Sequence, residues 1–319
     1  MVKISVIIPC YNLGEYILPC LESIGKQKIG DTEYIFVNDG STDDTLKHIQ
    51  EFCKEKSYCK IIDKTNSGVS EARNEALKIA SGEYLYLLDG DDILTDNAVE
   101  QMITTVENLD CDAVLSDVIV LTDGKEKLLP LSLQDGIYTP TEVYRKVKVF
   151  PTIPQILYKR EIIENQSLKF DSNLRFGEVY DFTIRFLCFS KRIKIVSECY
   201  FKYVMRKESA SHIPNYQKDL SIISTLKKYN RVGVQFSSLP SFNTTSFKMV
   251  MAFTYNKYAK LRLLDDGALE NIRQLLYNPE VKTLMKEVAS TSSSVKDRVL
   301  ATYILMTGLK GYKFLTHLI

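Results

Sequence analysis

From Lys3 to Leu121, short apolar runs alternate with segments of helical spacing, and this rhythm constrains the fold more than any other feature. A continuous apolar run bounded by turn residues is typical of a strand that is buried on both faces. The predicted strands are Lys3–Pro9, Glu33–Val37, Lys60–Ile62, Glu83–Leu88 and Ala113–Leu121. Helical patterns lie between them, so the sequence predicts an α/β fold with a central, mostly parallel sheet covered by helices.

Polar residues follow each of the first four predicted strands. In parallel sheets, ligands bind beyond the carboxyl ends of the strands, where such residues come together. The polar segments are Tyr11–Asn12, Asn38–Ser41, Asn66–Gly68 and Asp89–Asp92. Turn chemistry alone explains any single segment, but their recurrence at one edge of the sheet predicts a ligand site there.

The segment LLDGDD, Leu87–Asp92, places three carboxylates directly after the fourth strand. Ionised carboxylates this close repel one another, and a hard divalent cation relieves the repulsion. Oxygen ligands favour Mg²⁺ or Mn²⁺ carried on a substrate diphosphate. In an extended segment Asp89 and Asp91 point the same way, which predicts them as metal ligands, while Asp92 caps the next helix or supports the ligands. The alternative is an Asx-rich turn followed by a helix cap.

The chain resembles the family 2 glycosyltransferases of bacterial polysaccharide biosynthesis, in four ordered segments: SVIIPCYN, FVNDGSTDDT, NSGVSEARNEAL and GEYLYLLDGDD. The resemblance is close over residues 2–120, continues through Tyr158–Phe182 and is weak beyond Leu220. It implies the GT-A fold, a DXD motif and an inverting transferase. Such an enzyme moves a sugar from a nucleotide-diphosphate donor, commonly a UDP-sugar, to an acceptor hydroxyl with Mn²⁺ or Mg²⁺. The sequence lacks the QxxRW motif of processive synthases, which favours the addition of one or a few sugars.

The resemblance also implies which residues bind the nucleotide-sugar. It assigns Pro9, Tyr11 and Asn12 to the nucleobase pocket, Asp39 to the uracil N3–H, Gly68 to a close backbone approach, Arg73 to the nucleotide side, Asp89 and Gly90 to the metal-binding turn and Arg206 to the diphosphate. Plainer roles are open for three of these residues. Tyr11 could be a core tyrosine, Asp39 a turn residue before glycine, and Arg73 part of a surface salt bridge.

The predicted catalytic base departs from the pattern of the family. Its members carry a Glu-Asp pair before a helix, and the Asp is usually the base. The matching segment here is GEVYDF, in which Glu178 matches the Glu and Val179 stands in place of the Asp. Valine cannot accept a proton, so the candidate bases are Glu178 and Asp181. The remaining alternative is a weak or inactive transferase that serves as a nucleotide-sugar-binding subunit of a glycan assembly complex.

Charge is distributed unevenly between two predicted regions. Residues 1–219 form the predicted GT-A catalytic domain, with a nucleotide-binding half at 1–120 and an acceptor-side half at 121–219. Residues 220–319 form a predicted helical C-terminal region. The catalytic domain holds 27 Lys+Arg and 34 Asp+Glu, whereas the C-terminal region holds 14 Lys+Arg and 6 Asp+Glu. A net acidic catalytic domain argues against nucleic-acid binding.

The basic C-terminal region predicts peripheral contact with the inner face of the cell membrane and a glycan or lipid-linked acceptor. The alternative for its last helical segment is a core helix or a homodimer contact. The sequence has seven cysteines, none in a CxxC pair, which favours reduced thiols in the cytoplasm. We find no signal-peptide pattern and no apolar stretch long enough to span a bilayer.

Overall fold

The computed structural model describes residues 2–206, apart from 29, 108, 132, 147–154 and 175–176, and then residues 270, 273–274, 276–291 and 298–306. The chain divides into two compact units. Met1–Asn173 with Glu178–Arg206 form the first, and Leu174–Gly177 with Lys207–Ile319 form the second. The predicted domain boundary after residue 219 lies outside the described residues.

The first unit is built on one sheet, which has ten strands within the described residues. They are β1 (Ile4–Cys10), β2 (Thr32–Asp39), β3 (Cys59–Lys64), β4 (Tyr84–Leu87), β5 (Ile93–Leu94), β6 (Ala113–Thr122), β7 (Lys125–Leu129), β8 (Gly136–Tyr138), β9 (Ile156–Lys159) and β10 (Ile193–Val204). The strand order is β3-β2-β1-β4-β9-β6-β10-β5, while β7 pairs with β6 and β8 with β10.

The sheet has two halves of different character. In residues 2–92, the parallel half, strands β3, β2, β1 and β4 all run the same way. In residues 93–206, the mixed half, β6 and β10 are parallel, but β9 is antiparallel to both β4 and β6. Strands β5, β7 and β8 are also antiparallel to their partners. The five predicted strands are confirmed, whereas β5, β7, β8 and β9 were missed.

Helices lie between the strands of the first unit, as the sequence predicts. They are α1 (Leu18–Gly25), α2 (Thr45–Cys53), α3 (Val69–Ile79), α4 (Ala98–Glu107), α5 (Pro140–Lys146), α6 (Arg160–Asn165) and α7 (Glu178–Phe189). Helix α3 packs on β1 and β2 through Ala72 and Ala76, which are fully buried. These small side chains let the helix lie close to the sheet, so the neighbouring Arg73 is also buried.

A contact between α3 and the mixed half positions the first turn of α7 in space. The Asn74 side chain donates to the Phe170 carbonyl at 2.9 Å and accepts from the Phe170 amide at 2.8 Å. The Phe170 ring stacks on Phe182 of α7, with centroids 4.1 Å apart and planes 6° from parallel. Because Asn74 of α3 and Phe182 of α7 both contact Phe170, the first turn of α7 is fixed relative to α3.

The second unit contains α8 (Pro279–Thr291) and a helical segment at 298–306. Helix α8 buries Val281, Met285 and Val288, which lie on one face at helical spacing. No helix in the described parts of the chain is long and apolar enough to cross a membrane.

Candidate active site

Arg73 joins the predicted metal ligand Asp89 to the predicted base Glu178. Its Nη2 donates to Asp89 Oδ1 at 2.9 Å, and its Nη1 donates to Glu178 Oε1 at 3.2 Å. The Arg73 side chain is only 4% exposed and that of Glu178 14%, whereas Asp89 is partly open to solvent. The plainer interpretation of Arg73 as part of a surface salt bridge is therefore wrong. One buried guanidinium brings together residues that lie far apart in the sequence.

The surroundings of Arg73 keep it charged and oriented. Its guanidinium carbon lies 5.3 Å from the centre of the Phe170 ring, within cation–π range. Burial opposes the charge of Arg73, but Asp89 and Glu178 outweigh burial and raise its pKa. Its Nε is buried and has no hydrogen-bond partner among the described residues. The side chain is thus held by its two terminal nitrogens and by the ring.

Asp91 pairs with a different arginine from the one that pairs with Asp89. Arg206, just after β10, forms an ion pair with Asp91, and its guanidinium carbon lies 4.6 Å from the centre of the Tyr16 ring. Burial and the negative charge of Asp89 raise the pKa of Asp91, although Arg206 acts in the opposite direction. Sequence reasoning missed Tyr16. The available signal was an aromatic residue a few positions after the first predicted strand.

Asp92 binds the end of β10, the strand that directly precedes Arg206. Its side chain is buried, and its Oδ1 accepts from the Val204 amide of β10 at 3.0 Å. Burial, followed by the negative charge of Asp89, raises the pKa of Asp92 well above its usual value. The expected helix cap is wrong, because α4 begins only at Ala98. Asp92 instead ties the end of β10 to the acidic turn.

The donor set of the acidic turn fits a hard divalent cation. Asp89 and Asp91 supply carboxylate oxygens, and the charge of Asp89 raises the pKa of Asp91, which indicates repulsion between them. The described residues contain no group of three or more acidic, His or Cys side chains that could hold a metal by themselves. A cation here would need further oxygen ligands from a diphosphate and water, as Mg²⁺ sites with few protein ligands commonly do.

Asp39, the predicted partner of uracil, orders the loop between β3 and α3. Its nearly buried carboxylate accepts from Lys64 Nζ at 2.7 Å, the Ser67 amide at 3.0 Å and the Gly68 amide at 2.8 Å. A carboxylate has about four accepting positions, so one remains for the N–H of a base. Asp39 is therefore more than a plain turn residue, because it fixes the loop that follows β3.

The two glycines assigned to the site are required for different reasons. Gly68 has φ +93°, and a Cβ built there would meet no protein atom within 4 Å. The space beside its backbone is therefore open, as a close ligand approach requires. At Gly90, a Cβ would lie 2.7 Å from Leu13 Cδ1 and 3.1 Å from Cys10 Sγ. The packing of the acidic turn against Leu13 and Cys10 therefore requires a glycine at position 90.

The loop after β1 is tied to the loop after β2. The Asn12 amide donates to Ser41 Oγ at 3.1 Å, and Asn12 Oδ1 accepts from the Thr42 amide at 2.8 Å. Tyr11 is exposed, so the alternative of a core tyrosine is wrong, while Pro9 is partly buried at the end of β1. The structure thus brings the predicted base-pocket residues to the edge of the parallel half.

Asp181 does not have the access that a base needs. Its side chain is 0% exposed and accepts from Arg185 Nε at 2.8 Å. Arg185 also donates to the Lys169 carbonyl at 2.6 Å. A base must touch the acceptor hydroxyl, and the buried, paired Asp181 cannot, so this geometry contradicts its prediction as a catalytic residue. Of the two candidates, Glu178 is the carboxylate that reaches the site.

Sequence comparison decides the family. The profile of glycosyl transferase family 2 matches residues 5–166, about half of the chain. The chain belongs to this family. The matched region contains the parallel half and every residue of the acidic turn, and it ends before Glu178.

Individual relatives in the family carry glycosyltransferase names. The chain is 28% identical to the uncharacterized glycosyltransferase EpsJ of Bacillus subtilis over 218 residues, which is 66% of this chain and 63% of EpsJ. It is 26% identical to the poly(ribitol-phosphate) beta-N-acetylglucosaminyltransferase TarS of Staphylococcus aureus over 212 residues, 65% of this chain and 36% of TarS. The chain therefore matches less than two thirds of the length of either relative.

Two solved structures confirm the expected GT-A fold. S. aureus TarS 1–349 in complex with UDP aligns with a TM-score of 0.72 at 21% identity, covering 99% of this chain and 90% of that one. The mannosyltransferase PcManGT of Pyrobaculum calidifontis, in complex with GDP-Man and Mn²⁺, aligns with a TM-score of 0.56 at 18% identity, covering 99% and 83%. At these identities the likeness establishes the fold alone.

Proposed function

We propose that the chain is an inverting, metal-dependent, non-processive glycosyltransferase of cell-surface polysaccharide synthesis. Its donor is a UDP-sugar, and its acceptor is a hydroxyl of a glycan or lipid-linked glycan. The observation that carries the proposal is the Arg73 bridge, which sets Glu178 beside the acidic turn that would hold the diphosphate. Relatives named for poly(ribitol-phosphate) glycosylation, and the UDP bound to TarS, support the donor and acceptor classes.

Asp89 and Asp91 are the residues that would hold Mn²⁺ or Mg²⁺. Such a cation, when bound, neutralises negative charge on the leaving diphosphate. Arg206 lies beside Asp91 and supplies a further positive charge from the end of β10. The open backbone at Gly68 and the exposed ring of Tyr11 line the same edge and are proposed to receive the nucleoside.

Glu178 is the proposed base. Its carboxylate accepts the proton of the acceptor hydroxyl as that oxygen bonds to the anomeric carbon of the sugar. The bond from this carbon to the diphosphate oxygen breaks on the opposite face, and UDP leaves with the bonding electrons. Attack opposite to the leaving group inverts the anomeric centre. The Arg73 contact holds Glu178 in place and leaves its second oxygen available for the proton.

The second candidate function is a nucleotide-sugar-binding subunit that transfers no sugar, and Val179 favours it. Release of UDP from a panel of UDP-sugars with Mn²⁺, measured with and without candidate glycan acceptors, separates the two. Turnover that is lost in Glu178→Gln supports the transferase. UDP binding with no turnover of any donor supports the binding subunit.

The variant Val179→Asp tests which position carries the base. It restores the Glu-Asp pair of the family. If Glu178 is the base, the new carboxylate changes turnover little. A large gain in turnover would mean that the valine disables the enzyme, and would contradict the role proposed for Glu178.

A further inference from the structure

The helical segment 298–306 has an unusual surface. Met306 is 81% exposed and Val299 is 63% exposed, the two highest values among the large apolar side chains of the described residues. They lie about two turns apart, which places them on one face of a helix, with the exposed Thr302 between them. We call Val299, Thr302 and Met306 the apolar face.

Helix α8, which precedes this segment in the chain, has a different surface. It buries Val281, Met285 and Val288 and exposes polar residues such as Thr283 and Lys286. The segment 298–306 buries only the smaller Ala301 and the side chain of Ile304 fully, and exposes Val299 and Met306. Exposed single apolar residues are ordinary on protein surfaces, but two aligned on one helix face indicate a contact.

The charge of the sequence that flanks the apolar face indicates what the contact is. Residues 295–319 contain Lys296, Arg298, Lys310 and Lys313 but only one acidic residue, Asp297. All of residues 220–319 hold 14 Lys+Arg and 6 Asp+Glu. A second copy of the chain would bring like charge against like charge, whereas an anionic lipid surface offers both opposite charge and an apolar interior.

We propose that the segment 298–306 docks on the surface of an anionic lipid bilayer by inserting Val299 and Met306 below the headgroups. The flanking basic residues attract the lipid, and the apolar face supplies the short-range contact. The segment lies in the interface and does not cross it, because its nine residues span about 14 Å as a helix. The proposal does not depend on the transferase function.

Co-sedimentation of the full-length protein with lipid vesicles tests the proposal. The wild type should sediment with vesicles of phosphatidylglycerol and phosphatidylcholine at low salt, and much less with phosphatidylcholine alone or at high salt. The double variant Val299→Ser/Met306→Ser should partition at least about tenfold less. The matched control is Leu128→Ser, which removes a side chain that is 53% exposed on β7 and should change nothing.

Three results would overturn the proposal. The wild type could stay in the supernatant with anionic vesicles, or Leu128→Ser could reduce binding as much as the double variant does. The double variant could also convert a dimer into a monomer in sedimentation velocity while binding vesicles normally, which would make the apolar face a contact between copies. Because both positions are exposed, thermal melting should be unchanged, and the single variant Met306→Ser repeats the test with a smaller change.

Discussion

The parallel and mixed halves of the first unit contribute to the site in different ways. In the parallel half, Asp39 ends β2, and Asp89 and Asp91 stand in the turn after β4. In the mixed half, Glu178 begins a helix and Arg206 follows a long strand, and each reaches the site by pairing with a carboxylate or arginine of the parallel half. The comparison teaches that the residues proposed to bind the donor lie at the strand ends, whereas the proposed base is positioned by the packing of the two halves.

Substitution of the proposed base should have the largest effect. Glu178→Gln removes the proton acceptor of the mixed half but leaves the donor residues of the parallel half in place. Turnover should fall at least about 1,000-fold, while UDP binding with Mn²⁺ changes little. Initial rates of UDP release measure turnover, and calorimetric titration measures UDP binding. Glu161→Gln, an exposed glutamate on α6, is the control, and equal loss of binding and turnover in Glu178→Gln would contradict the division of labour.

Asp181→Asn tests whether this carboxylate serves stability alone. The change leaves Arg185 without its buried partner and should lower the free energy of unfolding by about 3 kcal/mol. Turnover, measured well below the melting temperature, should stay the same. The control is Glu164→Gln, which breaks the exposed Arg160–Glu164 pair of the same spacing and should cost at most about 0.5 kcal/mol in urea unfolding. Lost turnover with retained stability would restore Asp181 as a base.

Asp91→Ala should show whether UDP binding at the acidic turn depends on a metal or on the positive charge of the protein alone. With Mn²⁺, UDP binding should weaken about 100-fold, because a ligand of the cation is lost. Without metal, binding should hold or tighten, because the variant releases Arg206 from its ion pair. Calorimetry with and without Mn²⁺ measures both, and Asp96→Ala, at an exposed position, is the control. Tighter binding in both conditions would mean that no metal acts at Asp91.

Glu33→Gln gives the smallest effect, a pH-dependent loss of stability confined to the parallel half. Burial alone would raise the pKa of Glu33, but bonds from Lys60, Ser5 and Ser81 lower it to about 2. The stabilisation is therefore complete above about pH 4.5 and is lost as pH falls toward 2.

Wild type and Glu33→Gln should differ by about 2 kcal/mol in free energy of unfolding at pH 7, and the difference should vanish near pH 2. Urea unfolding across this pH range provides the measurement. Glu51→Gln, at an exposed position on α2, should match the wild type throughout. A difference that persists at pH 2 would mean that the ion pair with Lys60 is not its cause.

The parallel half could be predicted from its sequence because apolar runs bounded by turn residues alternate there with segments of helical spacing. Strand β5 has only two residues, and β9 has four that run directly into α6, so neither stands out as a separate apolar run. The role of Asp92 was missed for a related reason. Its partner Val204 lies on a strand that is distant in the sequence, so local pattern suggested a helix cap or support of the metal ligands and not this contact.

Some residues of the site could also be predicted from the local sequence, and others could not. The spacing DGD predicts two carboxylates on one side of an extended turn, and the apolar run before it predicts the strand that delivers them. No local pattern predicts that Arg73 bridges Asp89 and Glu178, or that Tyr16 lies against Arg206. Asp181 lies one helical turn beyond Glu178, yet one side chain is sealed in the interior and the other is not.

The sequence by itself determined the α/β fold, the family and the edge of the sheet that carries the proposed donor site. These follow from periodicity and from turn residues next to strands, which act over a few neighbouring positions. Only the tertiary structure decided which carboxylate faces the site and which is buried, and which arginine serves each end of the acidic turn. Those choices depend on the Asn74 and Phe170 contacts that set α7 against α3, and such long-range packing leaves no local pattern in the chain.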